Sequence, residues 1–242
     1  MPEPTGRVLA PHRSVRAFRP EPLPAGMLER LVAEAQRAPT DAGGQMYAFV
    51  QVRDAATRRR VAALSGEQAH VTDCAEFLVV CADLHRLFRT LAHRGHAPGE
   101  FPAAALHFGV VDAALAAQRL IDAAEALGLG TCCIGGILDG IAELIEVLAL
   151  PLHVLPLFGL CLGLPAEAPV ERPRVALGAV LHPDFYREQT PDGIEAAAAG
   201  MADTTRSRDW AKALARYFAA GGVMEQREAA LRRVVERQGF AW

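Results

Sequence analysis

Residues 103–137 read AAALHFGVVDAALAAQRLIDAAEALGLGTCCIGGI, and the order of elements in this stretch decides the fold. Leu106, Val110, Ala113, Ala117, Leu120, Ala124 and Leu127 recur at helical spacing, which predicts one long helix over 103–128. Most flanking positions are alanine. So much small apolar surface predicts a helix buried centrally or at an interface, and small side chains admit a second helix closely enough for a helix-mediated dimer. GLGTCCIGGI then reads as turn, strand and loop. A dinucleotide fingerprint needs strand, turn and helix in that order, because the phosphate rests on a helix N-terminus. Here the order is reversed and the G-x-G-x-x-G spacing is missing.

Working outward, GMLERLVAEAQRAP predicts an amphipathic helix closed by Pro39, and TDAGGQ (40–45) a loop. MYAFVQVRD (46–54) reads as β, DAATRRRVAAL as helix, and EFLVVCAD (76–83) and VLPLFGLCLG (154–163) as buried strands. HRGHAPGEFP (93–102) is a loop, and AELIEVLAL a short helix ended by Pro151. Beyond a proline-rich segment, Trp210 to Phe218 and Met224 to Gln238 read as helices, while the order of 191–201 is left open. That makes roughly four strands with about five to seven helices and no regular strand–helix alternation, so the fold class is α+β rather than doubly wound. The expected architecture is a single domain over 1–242, a mixed or antiparallel central sheet flanked by helices, with a C-terminal extension from about residue 187.

The chain has 242 residues, a net charge of −3, 51% hydrophobic and 22% charged residues. It can bury a full core, and neither disorder nor a general nucleic-acid surface fits. The start, MPEPTGRVLAPHR, lacks the apolar stretch of a signal peptide, and no apolar run reads as long enough to span a bilayer. Five cysteines (Cys74, Cys81, Cys132, Cys133, Cys161) form no C-x-x-C and no zinc spacing. An odd count without a framework predicts a reducing, cytoplasmic setting, with Cys81 and Cys161 as buried thiols. There is no P-loop, no H-E-x-x-H and no G-x-S-x-G around Ser14, Ser65 or Ser207. His93 and His96 have no matching ligands, so no metal is expected. No catalytic dyad appears, which points to chemistry carried by a cofactor.

Residues 12–19, HRSVRAFR, concentrate positive charge in a slightly acidic chain. A guanidinium fork gives phosphate two parallel charged hydrogen bonds. In an extended segment Arg13 and Arg16 can face one anion with the Ser14 hydroxyl, and Arg172 and Arg174 flank Pro173 in the same manner. From spacing alone, a phosphate site and surface salt bridges both remain open. Arg58–Arg60 read as a solvated helix face.

HRSVRAF followed by a helix and polar loop, then GEQAHV, AEFLVVCAD, LIDAAEALGLGTCCIGGI, LPLFGLCLGLP and ERPR, in that order over roughly 12–186, together resemble the nitroreductase family. The likeness is to its NADPH-dependent flavin reductase and oxygen-insensitive nitroreductase branch. The resemblance implies an FMN-containing homodimer with the flavin at the subunit interface. It assigns His12, Arg13, Ser14 and Arg16 to the FMN phosphate and ribityl chain, and Arg172 and Arg174 to a basic pair near the same phosphate. Gln68 would reach the flavin, and Ile134, Gly135 and Gly136 would form the strand-end loop beside its ring. Thr40 and Gln45 take the place of a loop often rich in serine. Cys133, in the TCC before IGG, would lie near the flavin as a structural thiol, with a redox role as the alternative. Arg206 and Arg208 resemble the loop that holds the 2′-phosphate of NADPH, so NADPH is preferred over NADH as reductant.

The resemblance further implies a ping-pong, two-electron reduction of nitroaromatics, quinones or free flavin. Hydride passes through flavin N5, so no side chain is assigned as catalytic. Two alternatives stay open: a flavoenzyme of the same fold that dehydrogenates, dehalogenates or fragments flavin, and a non-catalytic flavin-binding module.

Overall fold

The computed structural model describes Leu9 and residues 11–241; the segment read above for a signal peptide lies largely outside these. The chain forms two compact units, one running to Pro169 and resuming at Ala230, the other Val170–Ala229. The first contains α1 (Met27–Ala35), β1 (Tyr47–Gln51), α2 (Ala55–Leu64), α3 (Ala69–Asp73), β2 (Glu76–Asp83), α4 (His85–His93), α5 (Pro102–Ala126), β3 (Gly130–Ile134), α6 (Ile141–Val147) and β4 (Val154–Gly163). The second contains α7 (Pro191–Gly200) and α8 (Trp210–Phe218), and α9 (Val223–Arg237) runs from it back into the first.

The four strands form one sheet in the order β1-β2-β4-β3, antiparallel throughout. Alternating side chains divide between its two faces. Leu78 and Val80 of β2 and Leu160 and Leu162 of β4 join Leu31 of α1 and Ala113, Ala117 and Leu120 of α5 in one core. Phe77, Val79, Cys81 and Cys161 point the other way, into a core with Val61 of α2, Val71 of α3 and Leu144 of α6. Covered on both faces, β2 and β4 read as continuous apolar runs, which is why their bounds match the expected 76–83 and 154–163. A third cluster at one sheet end joins Ala82, Leu84 and Leu155 to Val234, Val235 and Phe240.

The α5–β3 junction follows from its glycine. Gly128 adopts φ +78, a left-handed conformation that costs glycine little. The Gly128 N–H donates to Glu125 O at 3.0 Å and the Leu129 N–H to Ala124 O at 3.0 Å. This pair of bonds satisfies the last helix carbonyls and turns the chain into β3.

Several expectations change. Nine α-helices are present among the described residues, more than anticipated, because α3 and α4 had not been read. Residues 191–200 are helical, with Thr190 Oγ1 accepting from the Gly193 N–H at 3.2 Å. Of the expected stripe, Leu106, Ala113, Ala117, Leu120 and Ala124 are buried, together with Ala105, Gly109, Asp112, Ala116 and Ile121, whereas Val110 and Leu127 are 38% and 52% exposed. Arg58 is not on a solvated face: its guanidinium donates to Val52 O at 3.1 Å and Cys74 O at 2.9 Å. By length and composition α5 is apolar enough to cross a membrane, contrary to the reading of the sequence. Its buried stripe in the first core and its fully buried Asp112 make it a core helix.

Candidate functional site

The N-terminal arginine stretch is held against β3. Ser14 forms a parallel bridge with Thr131, and the Val15 N–H donates to Thr131 O at 2.8 Å. Val15 is buried while Arg13 and Arg16 are exposed; alternation in an extended segment puts Ser14 and Arg16 on the face opposite Val15, and Arg13 lies outside the bridged residues. Glu167 Oε1 accepts from the backbone N–H groups of Arg16 and Ala17 at 2.5 and 3.0 Å. That carboxylate fixes the backbone and leaves the guanidiniums clear. Among the described residues neither Arg13 nor Arg16 is in an ion pair.

Glu125, near the end of α5, was not singled out from sequence. Its Oε1 accepts from His12 Nδ1 at 2.7 Å and from Thr131 Oγ1 at 2.8 Å, and the other His12 nitrogen lies 3.3 Å from Ser14 Oγ. One carboxylate therefore joins the arginine stretch, the last turn of α5 and the first residues of β3.

The far end of β3 carries the glycines. Ile134 is fully buried and packs its side chain into the core, so only its backbone faces outward. A Cβ on Gly136 would lie 2.4 Å from Ser65 O and 2.7 Å from Gln68 Nε2; no side chain fits. Gln68 Nε2 donates to Ser65 O at 2.7 Å, which sets the amide beside Gly136. Next to Gly135 there is open space. Gln68, Ile134, Gly135 and Gly136 thus come together as expected, and β3 links them to Thr131 and the arginine stretch.

Thr40 and Gln45 belong to a separately anchored loop. Asp112, 1% exposed on α5, accepts from the Asp41 N–H at 3.0 Å and the Met46 N–H at 2.9 Å. Gln45 sits at φ 49, and its carbonyl accepts from the Arg86 guanidinium. Asp112 and Glu167 also escaped sequence reading, since a carboxylate that bonds backbone amides far along the chain leaves no local pattern.

The remaining candidates lie in the second unit. Arg172 and Arg174 are exposed, and the Arg174 guanidinium folds back onto Arg172 O at 3.1 Å and Pro173 O at 3.2 Å. Arg174, Val175, Gln189, Ala196 and Ala197 line a cavity of about 430 Å³. Arg208 pairs with Asp203 at 2.9 Å and has φ 53, and Arg206 is exposed nearby in sequence.

Titration follows burial. Cys133 is exposed; partial loss of hydration, with Cys132 and Glu125 adding to it, pushes its thiol up rather than down, the direction that disfavours a thiolate. Burial, reinforced by the Arg16 charge, holds His70 below its ordinary value; its Nε2 is buried without a hydrogen-bond partner.

As a donor set, these groups suit a flavin mononucleotide. Two unpaired guanidiniums, a hydroxyl and an imidazole fit a phosphate ester. A glycine pair with an adjacent amide lets backbone and side-chain donors approach a flat heterocycle.

A family model described as the nitroreductase family matches residues 9–164. The chain is 40% identical over 184 residues to an oxygen-insensitive NADPH nitroreductase of Salmonella typhimurium, covering 76% of this chain and 75% of that one. It is also 40% identical over 183 residues to an FMN reductase (NADPH) of Bacillus subtilis, covering 75% and 74%. The solved structure of the NfrA1 nitroreductase of B. subtilis superposes with a TM-score of 0.87 at 33% identity, over 95% of this chain and 96% of that one.

Proposed function

The chain belongs to the nitroreductase family, and from that premise we propose that it is an FMN-dependent NAD(P)H oxidoreductase that reduces nitroaromatics, quinones or free flavin. Relatives named as NADPH nitroreductase, FMN reductase and NADPH-flavin oxidoreductase support the reading. The observation that carries it is the pair of unpaired guanidiniums, Arg13 and Arg16, held on a pinned backbone in the same unit as the glycine-lined end of β3.

Arg13, Arg16 and the Ser14 hydroxyl take the phosphate, and Arg172 and Arg174 form a second basic pair suited to an anion. Gln68 and the Gly135–Gly136 backbone orient the ring. Bound FMN would supply two-electron chemistry, accepting hydride at N5 from NAD(P)H and passing the electrons to the acceptor in a ping-pong cycle. The side chains hold, orient and exclude water, which agrees with the lack of a catalytic dyad in the sequence. Arg206 and Arg208 favour NADPH through its 2′-phosphate, and the setting is the cytoplasm.

The working form is a homodimer with FMN at its interface, each chain contributing one domain with its C-terminal extension. Phe108, Val111 and Leu115 expose one stripe of α5, each 37–42% exposed, and Val170, Leu177 and Phe185 in the second unit are 68–86% exposed. Apolar surface of that extent marks an interface.

Purified protein is expected to be yellow, to bleach on anaerobic addition of NADPH, and to turn over with a nitroaromatic or quinone. Colourless protein that takes up no added FMN overturns the reading. Tight FMN without bleaching favours the binding module, and bleaching without turnover favours a different flavin chemistry.

A further inference from the structure

We propose that Glu125 is a positioning residue of the flavin site: it fixes the tautomer and orientation of His12, so that Nε2 is presented beside Ser14 to the anionic end of the cofactor. The proposal rests on the FMN reading above and extends it to a residue that touches no ligand. A carboxylate only accepts hydrogen bonds. With Oε1 2.7 Å from His12 Nδ1, that nitrogen must carry the proton. A neutral imidazole so arranged leaves Nε2 as an acceptor for the Ser14 hydroxyl 3.3 Å away; the protonated ring makes Nε2 a second donor, and that is the state that hydrogen-bonds an anion. Either state holds the ring at one angle. Free imidazole side chains have no such bias toward an Nδ1 proton, so the bias here is imposed by the fold.

The carboxylate is itself fixed. Thr131 Oγ1 donates to the same Oε1 at 2.8 Å, and the Glu125 side chain is 16% exposed against 38% for His12. Its backbone carbonyl takes the Gly128 N–H in the turn that ends α5. Glu125 therefore stands on a rigid element, while His12 lies ahead of the backbone ties of its stretch, which begin with the bridge at Ser14 and the Val15–Thr131 bond. Removing Glu125 leaves the bridge intact and frees the ring to rotate. The loss then falls on cofactor affinity, because an unfixed side chain must be ordered when the ligand binds.

The test compares Glu125→Ala, Glu125→Gln, His12→Ala and the Glu125→Ala/His12→Ala double variant in the full-length chain. Nitrogen NMR of the apoprotein imidazoles is expected to show His12 protonated at Nδ1 in the wild type and in Glu125→Gln, whose amide oxygen still accepts. In Glu125→Ala the signal is expected to move to an exchanging mixture. FMN titration is expected to show roughly tenfold weaker binding for Glu125→Ala, partial rescue in Glu125→Gln, and a double variant no weaker than His12→Ala alone, because coupled residues do not add. Additive losses would show Glu125 acting independently of His12 and would overturn the proposal. So would an unchanged His12 tautomer in Glu125→Ala. If Glu125→Ala does not fold, a wild-type His12 protonated at Nε2 overturns it equally. Wild-type protein that binds no FMN at all sinks the proposed function and this role together, whereas normal wild-type binding with an unaffected Glu125→Ala sinks this role alone.

Discussion

Two arginine pairs are candidates for a phosphate, and they are built differently. Arg13 and Arg16 hang from a backbone fixed by the Val15–Thr131 bond, by Glu167 and by the Glu125–His12–Thr131 network. Arg172 and Arg174 sit in a segment without helix or strand, and Arg174 donates from Nη1 to the carbonyls of the two residues before it. The first pair is organised before any anion arrives. The second must order its side chains when it binds, at about 0.5–1.5 kcal/mol for each immobilised side chain. Equal charge therefore does not mean equal contribution. The pinned pair should supply most of the affinity.

The largest effect is expected from the Arg13→Ala/Arg16→Ala double variant. A hydrogen bond to a charged group contributes about 1.5–3 kcal/mol net, so two together should weaken FMN binding by a factor on the order of 100 or more. Equilibrium titration of the apoprotein checks this. A loss below about tenfold would show that the pinned stretch is structural and not a phosphate clamp.

The same reasoning extends to the loop bearing Thr40 and Gln45, which the buried Asp112 carboxylate holds by two backbone N–H groups and Arg86 by the Gln45 carbonyl. Asp112→Asn keeps the shape but presents an amide N–H where one backbone N–H now finds an acceptor. Leaving a buried donor unsatisfied costs about 1–3 kcal/mol, which for a chain of this size lowers Tm by about 2–4 °C per kcal/mol. Calorimetry of the variant should show that drop. An unchanged Tm would mean that the loop is not held by Asp112.

Legibility divides along the same line between local and distant partners. Strands β2 and β4 and helix α8 were readable to the residue, because continuous apolar runs and 3.6-residue periodicity are local signals. Gln68 and the Ile134–Gly136 segment came from the family resemblance rather than from a local signal, and the structure sets the Gln68 amide beside Gly136. Helix α4 was missed because its apolar positions, Leu87, Phe88 and Leu91, are interleaved with His and Arg. The exposure of Val110 was misjudged because α5 is apolar on more than one face, and periodicity alone does not choose between faces. Asp112, Glu125 and Glu167 were invisible for a different reason. Asp112 meets Asp41 across 71 residues and Glu167 meets Arg16 across 151, so nothing near them in sequence announces the bond.

A smaller effect is expected from Arg174→Ala. Since Arg174 hangs from a segment without helix or strand and must be ordered when the anion binds, the net gain from the phosphate is reduced, and the variant should weaken FMN binding by about tenfold or less. If Arg174→Ala instead equals the Arg13→Ala/Arg16→Ala loss, preorganisation is not what separates the two pairs. Unchanged retention would remove Arg174 from the phosphate site.

The smallest effect concerns acid, and it probes the charge that the pinned pair places inside the first unit. Burial first, and the Arg16 charge second, lower the pKa of His70, and burial and His85 lower that of His153. A histidine whose folded pKa lies below its unfolded value of about 6.5 binds fewer protons when folded. Stability then holds above pH about 6.5 and declines as the pH falls through the interval down to the folded value. Thermal midpoints of the apoprotein should be level from pH 8 to about 6.5 and fall below it. His70→Phe should flatten the fall by removing one of the two groups. An anion seated on Arg16 offsets the guanidinium's repulsion of a protonated His70, so FMN-loaded protein should lose less stability to acid than apoprotein. A midpoint that rises on acidification would contradict the burial of both rings, and identical slopes with and without FMN would place the phosphate away from Arg16.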